Sequence, residues 1–216
     1  MVKTPTRASI HWAPAFRIIA TRFPAVNLWE GMDPAMWGRL DQVEAMTNPR
    51  LAASTSEASS YIQWPFANPR AGRFSTDTLG AFYAAEHESG AVAETVYHQA
   101  IRCREDQLDP HDFDMRVLRV EVEGRFHDLR GRRADAFPGV MDPDSTRREA
   151  SQALAVELYQ QGSQGIVYSS VRDEERTPCV AAFDPAAIKR CVHLRYLTYR
   201  WDGEKVEPLY EKKPLA

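Results

Sequence analysis

Lysine is scarce in this chain: of its 27 basic residues, 5 are Lys and 22 are Arg, set against 30 acidic residues for a formal net charge of −3 at pH 7. That balance argues against a domain built to neutralise a nucleic-acid backbone, so no direct nucleic-acid partner is expected. The arginine excess is in keeping with GC-rich coding, and it leaves room for a local cluster aimed at one phosphate group. Cysteine is sparse too. Cys103, Cys179 and Cys191 form an odd, widely spaced set with no CxxC, which supports neither a disulfide framework nor a zinc ribbon. The six histidines are dispersed, without HExxH or HxH spacing, so no metal site is expected. Glycine-rich turns of the GxGxxG or P-loop kind are missing, which argues against Rossmann and Walker sites. No apolar run approaches the ~18 residues of a membrane span, and the N-terminus lacks a signal-peptide core. The expectation is a soluble cytoplasmic protein with no membrane partner.

What is present suits one globular domain over residues 1–216, with 44% hydrophobic and 26% charged residues. Two helices are well marked. One starts from Ser89 as N-cap, with Val92, Val96, Ala100 and Cys103 on one face. The other starts near Asp144, with a Thr146–Glu149 capping box, an Ala150–Leu154–Leu158 stripe and Gly162 as its stop. A shorter helix is predicted over Pro34 to Met46. Strands are predicted at 16–23, 61–64, 79–84, 115–122, 165–169, 179–183 and 193–201, from alternation and β-branched or aromatic enrichment. Segments 51–60 and 130–144 read as surface loops. The irregular order of helices and strands points to α+β.

Two segments carry the chemistry-bearing residues. In GRFSTDTLGAFYAAEHESGAVAETVYH, Arg73 enters a strand, Tyr83 lies ten residues later on it, and Glu94 follows in the early turns of the helix. At 100° per residue, Glu94, His98 and Arg102 form one polar stripe. In GSQGIVYSSVR, an apolar strand ends in Ser169, Ser170 and Arg172, a sensible place to hold a ligand. Taken singly, each has an ordinary explanation. Arg73 reads as a surface or ion-pair arginine, Tyr83 as a core aromatic, and Glu94 with His98 as a helix-surface pair. The serines read as turn residues, and Arg172 as a solvated loop residue in RDEER. The Arg130, Arg132, Arg133 cluster reads as a solvated loop, with an acidic partner as the other option.

Taken together and in order, GRFS, GAFYAAE, AVAETVYH, GSQGIVYSSVR and CVAAFDP resemble the RES domain family, the toxins of bacterial Xre–RES type II toxin–antitoxin systems. The resemblance runs from about Arg17 to Trp201. By position it places the family's Arg at Arg73, its Tyr at Tyr83, its Glu at Glu94 and its Ser at Ser170, with Ser169 the less favoured choice. Asp184–Pro185 stands where the family is expected to have Asn–Pro. The resemblance implies an ADP-ribosyltransferase-like split mixed β-sheet acting on NAD as substrate, with no prosthetic group. It implies cleavage of the nicotinamide–ribose bond by hydrolysis or phosphorolysis, or transfer of ADP-ribose to a protein target. Catalysis would fall to Glu94, Arg73, Tyr83 and Ser170, with Ser169, Arg172 and His98 as further binding residues. An Xre-like antitoxin is the implied partner, and the family admits a homodimer. A catalytically silent partner-binding module, with Arg73 and Glu94 as a structural ion pair, is the reading from another class.

Overall fold

Long strands dominate the chain, because alternating apolar residues can bury one face of each against a shared core. A computed structural model describes residues 4–21 and 57–212. The described elements are β1 (Arg7–Ala20), α1 (Glu57–Ala67), β2 (Phe82–Ala85), α2 (Glu88–Glu105), β3 (His111–Leu129), α3 (Glu149–Gln160), β4 (Gly165–Ser169), β5 (Pro178–Ala182), β6 (Ile188–Trp201) and β7 (Val206–Lys212), with 3₁₀ turns at Gly131–Ala136 and Pro185–Ala187. The fold is α+β, as the irregular order of elements predicts.

The strands form one mixed sheet in the order β1-β2-β5-β4-β3-β6-β7, and β1 also pairs with β3. The first five strands therefore close into a ring. β3 has β6 along its residues 111–122, and then takes β4 in parallel along His127–Leu129 where β6 has left. That exchange of partners splits the sheet into a ring and a β6–β7 wing.

Alternation sends side chains to two cores. Ile10, Trp12, Phe82, Leu118, Val120, Phe126, Val167 and Val180 share one cluster, which α1 covers with Tyr61. The opposite face, with Tyr168, Cys179 and Ala181, is covered by α2 through Ala91, Ala100 and Cys103 and by α3 through Leu154, Ala155 and Leu158. Val92 and Val96 pack at the edge of this second cluster, as their spacing predicts.

Several boundaries differ from the sequence expectation. Residues 61–64 lie in α1, so their aromatic run marks a helix face and not a strand. Glu57 to Ser60, read as loop, are also in α1, while 51–56 and the helix predicted over 34–46 lie outside the described residues. α2 begins one residue before Ser89, with His87 at the N-cap position and no side-chain cap. α3 begins at Glu149, and Thr146 is not its cap: Asp144 instead accepts from the Thr146 amide and hydroxyl in a turn ahead of the helix. Ala150 is exposed, and the buried stripe is Ser151, Leu154, Ala155 and Leu158. Gly162, at φ +73°, ends the helix as expected. β1 starts at Arg7, earlier than residue 16, with a register shift between Trp12 and Ala15 that absorbs Pro14. β7 had no counterpart among the predicted strands.

Candidate functional site

The loop ahead of β2 is pinned from several directions. Gly72 lies where an added Cβ would stand 2.7 Å from Ser75 Oγ and 3.0 Å from the Tyr83 hydroxyl, so a bare backbone is needed there. The Tyr83 hydroxyl accepts from the Phe74 amide at 2.9 Å and donates to Ser75 Oγ at 3.1 Å, and Ser75 donates to the Arg70 carbonyl at 2.8 Å. Burial raises the Tyr83 pKa, against the opposing pull of its bonds to Ser75 and Phe74, so the phenol stays protonated. With its proton committed to Ser75, the hydroxyl is not placed to donate to a phosphate.

Arginines grip the same loop. Arg148 Nη1 donates to the Ala71 carbonyl at 3.2 Å, and Gln152 Nε2 donates to the Gly72 carbonyl at 3.0 Å. Arg73 Nη1 reaches the carbonyls of Val140 at 3.3 Å and Asp142 at 2.8 Å. Arg73 is thus half-buried and tied to the 137–148 loop, not paired with Glu94 in the manner of a structural ion pair. Its Nε and Nη2 have no partner among the described residues. A surface recess of about 320 Å³ follows residues 134–143 beyond Asp142, and Glu94 is not part of its lining.

Glu94 stands on the second turn of α2 and meets Ser170, which follows β4 and is fully buried. Ser170 Oγ accepts from the amides of Arg172 at 3.0 Å and Asp173 at 3.2 Å. Both lone pairs are then engaged, and the hydroxyl proton has one direction left. It goes to Glu94 Oε1 at 2.6 Å, a short charge-assisted bond. Ser169 turns elsewhere, accepting from the Gly131 amide at 3.3 Å. Of the two serines, the fold brings Ser170 to Glu94.

Glu94 Oε2 lies 3.8 Å from His98 Nε2, beyond hydrogen-bonding reach. The His98 pKa is pushed down to about 4, first by burial and then by the fields of Arg148, Arg172 and Arg73. About half of this side chain meets solvent, and the ring is neutral at pH 7. Arg102, on the same stripe, points outward and pairs with Asp106. Arg172 is not the solvated loop residue expected from RDEER: its guanidinium lies 3.5 Å from the centroid of the Tyr97 ring and is half-buried. Burial lowers its pKa most, and the fields of Tyr97 and Glu94 oppose that shift.

The fields of Arg73, Arg148 and Arg172 all reach His98, one turn along α2 from Glu94, and that of Glu94 reaches Arg172, so three arginines gather near this carboxylate with donors remaining for an anionic ligand. An excess of positive charge on half-buried arginines suits a diphosphate. Arg148 and Tyr97 were not singled out from the sequence. Arg148 is one of two adjacent arginines, and no local pattern distinguishes it from Arg147; Tyr97 reads as an ordinary helix aromatic.

Two further expectations can be placed. Arg130 is held bidentately by Asp128, which is 4% exposed, whereas Arg132 and Arg133 remain exposed, as the reading of a solvated loop expects, with Arg133 3.5 Å from the same carboxylate. Asp184 caps the 185–187 turn through Oδ1, which accepts from the Ala186 amide at 2.9 Å. Asn has the same acceptor oxygen, so the departure from the expected Asn–Pro preserves this contact. Among the described residues no cluster of His, Cys, Asp and Glu is suited to a metal ion, and no helix is long and apolar enough to cross a membrane.

Comparison with known proteins adds three findings. The model of the RES domain matches residues 47–202. An uncharacterized protein, y4oC, of Sinorhizobium fredii (strain NBRC 101917 / NGR234) is 25% identical over 209 residues, which span 90% of this chain and 86% of that protein. A crystal structure of the M. tuberculosis MbcT–MbcA toxin–antitoxin complex shares 14% identity with a TM-score of 0.48, over 86% of each chain.

Proposed function

The chain belongs to the RES domain family, and from that premise we propose that it is the toxin of a bacterial toxin–antitoxin pair, arresting growth by cleaving the nicotinamide–ribose bond of NAD in an ADP-ribosyltransferase-like cleft. The observation that carries this reading is the Ser170–Glu94 bond, one helical turn from His98, where the fields of Arg73, Arg148 and Arg172 meet.

The chemistry needs what that arrangement offers. When the C1′–N bond of NAD breaks, its electron pair goes to the ring nitrogen and nicotinamide leaves neutral, so no general acid is required. Positive charge develops on the ribose as an oxocarbenium ion, as in other glycoside cleavages. A carboxylate fixed beside it stabilises that charge, a preorganised effect of several kcal/mol. Glu94 fills this role, and Ser170 holds its carboxylate in place so that no reorientation accompanies the reaction. The arginines bind the diphosphate, and Tyr83 supports the loop that carries Arg73. Addition of water then gives ADP-ribose and a proton, whereas addition of phosphate gives a phosphorylated ADP-ribose and a proton. A protein acceptor would make the same site an ADP-ribosyltransferase.

An enzyme that consumes NAD is harmful to its own host unless restrained, which is the reason for assigning an Xre-like antitoxin as partner. The test is expression of wild type, Arg73→Ala and Glu94→Ala with intracellular NAD and growth followed together. Wild type is expected to deplete NAD and stop growth, and both variants to spare them. A folded wild type that leaves NAD untouched overturns the proposal. Mass spectrometry with and without phosphate separates the acceptors: free products mark hydrolysis or phosphorolysis, and a protein heavier by one ADP-ribosyl group marks transfer.

A further inference from the structure

Tyr168 lies on β4 two residues before Ser170 and is only 5% exposed. Its ring meets the Phe74 ring edge-on with centroids 5.0 Å apart. Among the described residues its hydroxyl has no hydrogen-bond partner. Tyr83, on the same face, contrasts with it, since that hydroxyl is held by the Phe74 amide and Ser75.

The sheet register shows what lies between the two tyrosines. Tyr168 is opposite Cys179 of β5, which is opposite Ala85 of β2; Tyr83 is opposite Ala181. These three intervening residues share the face and are all small, whereas Leu129 of β3 and Ile166 of β4 pack Tyr168 on its other sides. Tyr168 lies two residues before Ser170, whose hydroxyl holds Glu94, and the fields of Glu94, Tyr83 and Arg73 all reach it. Burial, foremost, holds the phenol protonated, so it is a donor. The hydroxyl oxygen is not among the fully buried polar atoms that lack a partner, so it is open enough at its tip to meet a ligand. Glu94 Oε1 already receives the Ser170 proton.

We propose that Tyr168 is a substrate-binding residue whose hydroxyl donates a hydrogen bond to an oxygen of the ribosyl-nicotinamide half of NAD, the half that lies against Glu94. This rests on the reading of the site as NAD-cleaving. The bond forms with bound substrate and persists in the transition state, so its loss weakens binding more than turnover.

Tyr168→Phe removes the hydroxyl alone and keeps the contact with Phe74. In steady-state NAD cleavage by the purified protein, KM is expected to rise about tenfold while kcat stays within about threefold, the signature of lost uniform binding. The thermal midpoint is expected to stay level, because the variant loses no hydrogen bond within the described protein. An unchanged KM overturns the proposal, as does a fall in kcat at constant KM. A wild-type protein that leaves NAD intact would overturn the NAD reading before any variant is made, and this assignment with it.

Discussion

Ser170 donates its hydroxyl proton to Glu94 Oε1 across 2.6 Å, joining a loop after β4 to the second turn of α2 over a separation of 76 residues. The two amides that Ser170 accepts leave the proton no other direction, so the bond is imposed by the loop 170–173 and not by chance rotamers. The carboxylate is thereby oriented before any ligand arrives.

Ser170→Ala is expected to lower the rate of NAD cleavage by roughly 10- to 100-fold, the scale of one charge-assisted hydrogen bond. It also leaves the Arg172 and Asp173 amides without their acceptor. A fall of a few degrees in the thermal midpoint should accompany the kinetic loss, since ~1 kcal/mol shifts the midpoint by ~2–4 °C in a chain of this size. Activity equal to wild type would show that Glu94 needs no such support.

Gly72→Ala tests whether the loop geometry matters. The added methyl meets Ser75 Oγ at 2.7 Å and the Tyr83 hydroxyl at 3.0 Å, both of which bond to one another. Displacing them is expected to destabilise the protein by about 1–3 kcal/mol and to raise the KM for NAD through misplacement of Arg73. Calorimetry and steady-state kinetics on the same sample check both.

How much of this was legible in the sequence depends on the range of the interaction. β4 was read with its observed limits because five residues of GIVYS sit between a helix-ending Gly162 and a polar loop. The resemblance of the ordered motifs assigns Arg73, Tyr83, Glu94 and Ser170 to one site, and the fold brings Glu94 and Ser170 into contact. Tyr61–Trp64 misled because a short aromatic run fits a strand and a helix face equally well, and only packing under the β-ring decides. Arg148 was invisible for a related reason. Its importance lies in the Ala71 carbonyl, 77 residues away, which no local pattern encodes.

His98 is expected to contribute little to catalysis. Its nitrogen lies 3.8 Å from Glu94, beyond hydrogen-bonding reach, and the ring is neutral at pH 7, so His98→Gln should change the rate by no more than about twofold. A tenfold loss in a pH-7 assay would show that the ring does orient the carboxylate.

Stability should rise with pH between about 4 and 6.5. In that window the unfolded chain protonates histidines that the folded protein keeps neutral: the buried His127, lowered by burial and then by Arg7, and, to a smaller extent because half of its side chain meets solvent, His98, pushed down to about 4 by burial and then by the nearby arginines. The unfolded state binds more protons there, so acidification from pH 7 to 4.5 lowers the thermal midpoint. His98→Asn should flatten part of that slope. A variant with the wild-type slope would remove His98 from this account.

The most direct measurement is release of nicotinamide from NAD by purified wild type and Glu94→Gln, followed by chromatography. Glutamine keeps the shape of the side chain and a carbonyl to accept from Ser170, but it removes the negative charge. The expected result is steady release by wild type and a loss of about 100-fold or more in the variant, with the thermal midpoint little changed. No release by a folded wild type, or equal release by Glu94→Gln, would contradict the assignment of Glu94 as the group that stabilises the ribosyl cation.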